Sequence, residues 1–239
     1  MKKQAETTNG TTIERMFSYI ARRYDCTNHL VSLGLDQGWR RSLADAVKET
    51  QPGVIVDLAT GSGDVIFELW KVMKNFSVQF TGVDFCRPML DQAEKKCQHL
   101  KANKDITFIK GDCLALPFAD ESVDCVTIAF GLRNLEARDR GLHEMHRILR
   151  KPNGRLFIME FTQPHYLMRP FYIFYLKHFI PLLAGLITQH ASAYRYLASS
   201  ITAFPDKEAL KAEVKAVGFR EVHYRSLGFS TVAIHEAVV

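Results

Sequence analysis

The sequence predicts an α/β fold, a seven-stranded and mostly parallel sheet with helices on both faces. Three observations predict it. A β-branched run, Val54 to Leu58, drives into the glycine turn Ala59-Thr60-Gly61-Ser62-Gly63-Asp64, and a helical pattern follows. Strand-like and helix-like segments then alternate up to residue 161, the rhythm of a parallel sheet with crossover helices. Two further strand-like segments, 221–227 and 231–237, close the chain as a β-pair.

The elements follow in order. Residues 1–12 carry two lysines and no apolar core, which predicts a disordered leader and no signal peptide. A single domain is expected over 13–239, opening with N-terminal helices across 13–50, the second over 36–48 with Trp39 and Leu43 inward. The first strand is read at 53–60 and its helix at 64–74; the second strand at 79–84, with a helix from Pro88 to about Leu100. Strands at 106–111 and 123–130 follow, then a helix over 138–150 and a fifth strand at 154–161. The rhythm breaks at 162–204, an aromatic and apolar stretch read as an inserted helical lid. Its longest uncharged run, 179–194, is too short to span a bilayer. A helix over 206–217, stopped by Gly218, leads into the final pair.

Composition narrows the function classes. The chain has 239 residues, 47% of them hydrophobic and 24% charged, which suits one globular domain with an insertion. Thirty-one Lys and Arg outweigh 26 Asp and Glu, giving a net charge of +5, but they are scattered, so no nucleic-acid partner is expected. Five cysteines without CxxC spacing argue against a disulfide scaffold or structural zinc. His143 and His146 share a helix without matching ligands, so no metal site is expected. A cytoplasmic location follows from these thiols.

The first loop selects among nucleotide ligands. It lacks the Gly-Lys-Ser/Thr of a phosphate-binding loop, and Ile66 stands where a dinucleotide fingerprint has its third glycine. Asp57 and Asp64 bracket Gly61 and Gly63; carboxylates there repel a diphosphate and welcome an ammonium. Asp84 ends the second strand, where an acid grips ribose hydroxyls, and Asp112 ends the third, within reach of an adenine amine. An amino acid, a ribose and an adenine without phosphates describe S-adenosylmethionine (SAM). Taken singly, a Gly-x-Gly is a turn and a strand-end Asp is a helix cap; the ordered set is the signal.

Further strings resemble one family, the C-methyltransferases of ubiquinone and menaquinone biosynthesis, over about residues 13–236. They are Met16-Phe17 with Ala21-Arg22-Arg23-Tyr24-Asp25; Leu33-Gly34-Leu35-Asp36 with Trp39-Arg40; Ala115-Leu116-Pro117-Phe118; Thr127 through Asn134; and Tyr194-Arg195-Tyr196-Leu197 with Ala203-Phe204-Pro205. The resemblance implies a Rossmann-like class I methyltransferase that transfers a methyl group from SAM to a ring carbon of a polyprenylated quinol, demethylmenaquinol ahead of the ubiquinol precursor. It puts cofactor contacts on Ser62, Asp84, Asp112, Cys113 and Ala129. The chain departs from the family's pattern at Asn153 and at Phe229-Ser230-Thr231, where a glycine pair is frequent.

A quinol carbon becomes nucleophilic when a ring hydroxyl ionises, and phenols of this kind titrate near about 10. A cation beside the developing oxyanion lowers that value. Arg133, just past the fourth strand, is the candidate, with Asn134 to orient a ring oxygen and Tyr24 as a proton relay. The plainer reading of Arg133 is an ion pair that closes the loop. The 162–204 insertion would take the polyprenyl tail, each buried CH₂ contributing about 0.8 kcal/mol, with peripheral contact at the inner face of the membrane. The same apolar surface suits a homodimer interface. Two rivals remain: a methyltransferase for another aromatic or lipid metabolite, and a non-enzymatic SAM-binding subunit.

Overall fold

A computed structural model describes residues 29, 32, 34–164, 168–174 and 191–239. The expected leader, Tyr24, and Tyr166, Tyr175 and Phe179 of the insertion lie outside these. The described chain runs α1 (Leu35–Glu49), β1 (Val54–Leu58), α2 (Asp64–Met73), β2 (Gln79–Asp84), α3 (Arg87–His99), β3 (Ile106–Lys110), β4 (Cys125–Ala129), α4 (Arg138–Ile148) and β5 (Arg155–Phe161). It continues through α5 (Arg169–Phe174), α6 (Ala191–Ala203), α7 (Lys207–Ala216), β6 (Glu221–Leu227) and β7 (Val232–Val238). The seven strands form one sheet in the order β3-β2-β1-β4-β5-β7-β6. Neighbours from β3 to β5 pair in parallel; β7 runs antiparallel to both β5 and β6.

The apolar strands are buried on both faces, as a parallel sheet requires. Alternate residues of β1 serve opposite layers. Val56 and Leu58 join Ile128, Ile158, Leu142, Met145, Leu210 and Val214 beneath α4 and α7. Ile55 packs with Trp39, Leu43, Val47, Ile66 and Leu69 beneath α1 and α2. Asp206, expected as the first residue of its helix, is the cap of α7: its carboxylate accepts from the Glu208 and Ala209 amides.

Two strands stop earlier than the sequence suggests, for one reason. Ala59 and Phe130, just beyond β1 and β4, adopt φ of +50° and +55°. Such left-handed non-glycine residues are uncommon and collect at functional sites. They end the ladder and turn the chain outward at the point where the strand order reverses, between β1 and β4. Ligands of open α/β sheets bind in that crevice.

Candidate active site

The crevice above β1 and β4 has two lobes with a common wall of Ala59, Gly61, Ala129 and Phe130. The strained strand ends thus line the cleft themselves. One lobe, about 580 Å³ with its open mouth, is lined by Asp84, Phe85, Met89, Asp112, Cys113, Asn134 and Leu135. The other is lined by Arg40, Asp57, Thr60, Ser62, Asp64 and Val65. Gly63, at φ +88°, begins α2; a Cβ there would lie 2.5 Å from the Phe67 ring, so a side chain would disrupt the turn.

Asp84 organises the first lobe. Its Oδ2 accepts from the Gly61 amide and its Oδ1 from the Cys86 amide, both at 2.8 Å. One carboxylate therefore fixes the glycine loop and the entry to α3. Asp112 is exposed, and one of its oxygens caps the following turn by accepting from the Leu114 amide at 2.9 Å. Cys113 is buried and its thiol is pushed up to about 12, mainly by burial, so it presents a neutral, apolar wall. Ser62 is buried in the loop, and Ala129 offers only its methyl.

The second lobe corrects one part of the sequence reading. Asp64 is not an open carboxylate: Lys96 holds it at 2.7 Å and Arg40 at 3.2 Å. Arg40 is itself gripped by the buried Asp36 at 2.7 Å. Asp57 is buried, and its two oxygens each accept a hydroxyl at 2.6 Å, from Thr60 and from Thr127. Burial pushes its carboxyl up to about 7, the threonine hydroxyls oppose that, and the charge of Asp84 adds to it. The lobe thus carries both a guanidinium and an acid, the complement of an amino acid's carboxylate and ammonium.

Past β4 a single 3₁₀ turn, Leu132–Asn134, splits the two catalytic candidates. Asn134 lines the first lobe. Arg133 turns inward to Glu160, its Nη1 2.7 Å from Oε1, with 5% and 1% of the two side chains exposed. Arg133 also donates to the Phe130 carbonyl and stacks over the Phe161 ring. Its Nε is buried without a partner. Tyr24 lies outside the described residues. Tyr196, in a quoted string but not singled out from the sequence, donates its hydroxyl to Asn134 Oδ1 at 3.1 Å. Burial raises its phenol above the ordinary value, so it remains a donor. Of the two histidines, His143 bonds the Asp139 carbonyl of its own helix, and His146 packs on Phe219.

Comparison with known proteins gives the family. The family model described as "ubiE/COQ5 methyltransferase family" matches residues 2–239. The chain belongs to that family. A demethylmenaquinone methyltransferase of Porphyromonas gingivalis is 40% identical over 224 residues, covering 93% of this chain and 91% of that one. One of Thermus thermophilus is 43% identical over 221 residues, 92% and 98% of the two chains. The ubiquinone/menaquinone biosynthesis C-methyltransferase UbiE of Geotalea uraniireducens is 41% identical over 233 residues, 96% and 98% of the two. Among solved structures, a SAM-dependent methyltransferase of Thermotoga maritima matches with TM-score 0.63 at 18% identity, covering 94% of this chain and 98% of that one. One of Aquifex aeolicus matches with TM-score 0.57 at 16%, covering 78% and 82%. At those identities the likeness is one of fold. As a member of the ubiE/COQ5 family the protein is an enzyme, a methyltransferase whose cofactor is SAM. The residues present fit that cofactor: the first lobe sets the carboxylate of Asp84 beside the apolar Phe85, Met89 and Leu135, and the second carries a cation and an acid.

Proposed function

We propose that the enzyme methylates a ring carbon of a polyprenylated quinol, and that the substrate is demethylmenaquinol. The reaction class, SAM-dependent C-methylation in quinone biosynthesis, follows from the family. The head group rests on the relatives from Porphyromonas and Thermus, which are named for demethylmenaquinone. The observation that carries the site assignment is the two-lobed cleft with a shared wall. Its first lobe takes the adenosine, with Asp84 on the ribose, Asp112 toward the adenine amine, and Met89, Cys113 and Leu135 on the ring. Its second lobe takes the amino-acid end, with the carboxylate on Arg40 and the ammonium toward Asp57.

Bound SAM supplies a methyl group already activated on a sulfonium sulfur. The chain's task is to place the nucleophilic carbon and favour ionisation of the neighbouring hydroxyl. Asn134, held by Tyr196, presents its amide to a ring oxygen. Arg133 acts from behind: with Glu160 it fixes the turn that carries Asn134, and its guanidinium adds positive potential. Tyr24 remains the proposed proton relay. No helix among the described residues is long and apolar enough to cross a membrane. A hydrocarbon-tailed substrate fits peripheral contact with the inner face of the membrane, from the cytoplasm, and the insertion fits the tail; a homodimer is the competing use of that surface.

The test is the quinone profile of cells lacking the protein, by mass spectrometry. Accumulation of demethylmenaquinone is expected. Accumulation of the unmethylated ubiquinone precursor alone would reverse the head-group assignment, and an unchanged profile would overturn the proposal.

A further inference from the structure

We infer that the hairpin joining β6 to β7, residues 228–231, is a lipid-docking finger that seats Phe229 in the bilayer. This deepens the quinol reading and rests on it for the identity of the lipid.

The side chain of Phe229 is displayed, not packed. It is 87% exposed, more than any other large apolar residue described. The backbone is bent to display it: Gly228, Phe229 and Ser230 have φ of +53°, +56° and +64°. Glycine occupies such conformations freely, whereas a bulky aromatic residue is strained there. Strain of this kind persists only where the surroundings enforce it. They do so here. The Thr231 amide and hydroxyl donate to the Gly228 carbonyl at 3.1 and 2.6 Å. The Thr162 amide donates to the Thr231 carbonyl at 3.0 Å. Arg225 reaches across to the Ser42 carbonyl of α1. A Cβ on Gly228 would lie 3.0 Å from the Trp39 ring, so the hairpin rests on that indole.

Position supplies the occupant. Leu227 and Phe161 both pair with Val232, so the hairpin stands at the end of the sheet where the parallel strands deliver their carboxyl ends and the cleft opens. Trp39 links the two: its ring lies 6.2 Å from that of Phe130, which lines both lobes. The segment leaving β5 at the same end carries exposed Met168 and the exposed Arg169. Lys207 bonds Ser226 at 3.1 Å, at the hairpin's base. An aromatic tip with a lysine at its base matches an anionic leaflet, and a substrate with a long hydrocarbon tail must be drawn from such a leaflet.

The full-length protein is mixed with vesicles of phosphatidylglycerol and phosphatidylcholine. Phe229→Gly is expected to partition about tenfold less than wild type while folding at least as stably, since glycine relieves the left-handed turn. Phe229→Trp is expected to bind as wild type and to show extra fluorescence quenching by brominated acyl chains. Phe229→Gly should also raise KM for a long-tailed quinol presented in vesicles, with kcat/KM for a tail-less soluble quinol unchanged. Wild type that stays free of vesicles, a Phe229→Gly variant that binds equally, or a Phe229→Trp variant without extra quenching overturns the inference. So does a dimer that dissociates on Phe229→Gly with vesicle binding intact, which would give the hairpin to a second copy. A protein that methylates no quinol, yet whose Phe229→Trp variant is quenched by the acyl chains, would sink the quinol reading and leave the docking finger standing.

Discussion

Arg133→Ala is expected to destabilise the protein in a way that grows with pH. In the wild type Glu160 is 1% exposed, with Arg133 Nη1 2.7 Å away. Burial pushes the carboxyl up, while Arg133 and the amides of Phe161 and Arg133 pull it back, leaving it above the ordinary value. Without the guanidinium the burial remains, so Glu160 folds as the protonated acid. In the unfolded chain it ionises near about 4.3, and each pH unit above that is worth about 1.4 kcal/mol. Retaining the proton therefore costs about 3.7 kcal/mol at pH 7 and about 1 kcal/mol at pH 5. The larger figure agrees with the roughly 3–5 kcal/mol typical of breaking one half of a buried pair. The sign follows from linkage: the folded value is raised, so stability is fullest below the unfolded value and falls as pH rises toward the folded one. Urea titrations followed by circular dichroism at pH 5 and 7 would measure it. The variant's deficit should widen by about 2 kcal/mol between them, allowing for the wild type's own smaller slope in the same direction. Arg133→Ala with Glu160→Gln should lose the widening. Equal deficits at both pH values would refute the reasoning. Turnover then separates the two roles: recovery in the double variant marks Arg133 as a positioning residue, whereas continued inactivity in a stable protein marks its charge as catalytic.

Other expected outcomes follow from the cleft. Asp57→Asn should stabilise the cofactor-free protein at pH 8 by about 2–4 kcal/mol and flatten its pH dependence, because a carboxyl raised to about 7 loses stability as pH rises through that value; thermal unfolding from pH 5 to 8 checks this. For the same reason SAM binding near pH 7 should release protons, read by calorimetry in buffers of different ionisation enthalpy. Asp84→Ala should weaken SAM binding by about 10- to 100-fold, since hydrogen bonds to a charged group contribute about 1.5–3 kcal/mol; unchanged affinity in calorimetry would remove it from the ribose. Arg40→Met should weaken SAM by a similar factor but leave decarboxylated SAM nearly unaffected; equal losses for both ligands would place Arg40 in the loop's support instead.

Much of this was legible in the chain because it is local. The β-branched run, the Gly-Ser-Gly turn and the alternating periods specify β1, the glycine loop and α2, since each depends on residues a few positions apart; the crevice needed β4 to pair with β1 across about 70 residues. Asp84 is legible for the same reason: it ends a strand at a set distance from the loop. Arg40 was visible only as part of a resemblance, because its meaning depends on Asp36 and Asp64, which meet it only when α1 packs on α2.

Sequence alone settled the order of strands and helices, the glycine loop and the carboxylates at the strand ends, because backbone preference and apolar period act over one or two turns of chain. Tertiary structure decided the charges. It turned Arg133 onto Glu160, 27 residues away, and brought Tyr196 onto Asn134 across 62 residues. It also closed Asp57 beneath two threonines and gave the second lobe its cation. Those outcomes depend on which groups lose water and which partner meets them as the layers close, and that is a property of the packed fold.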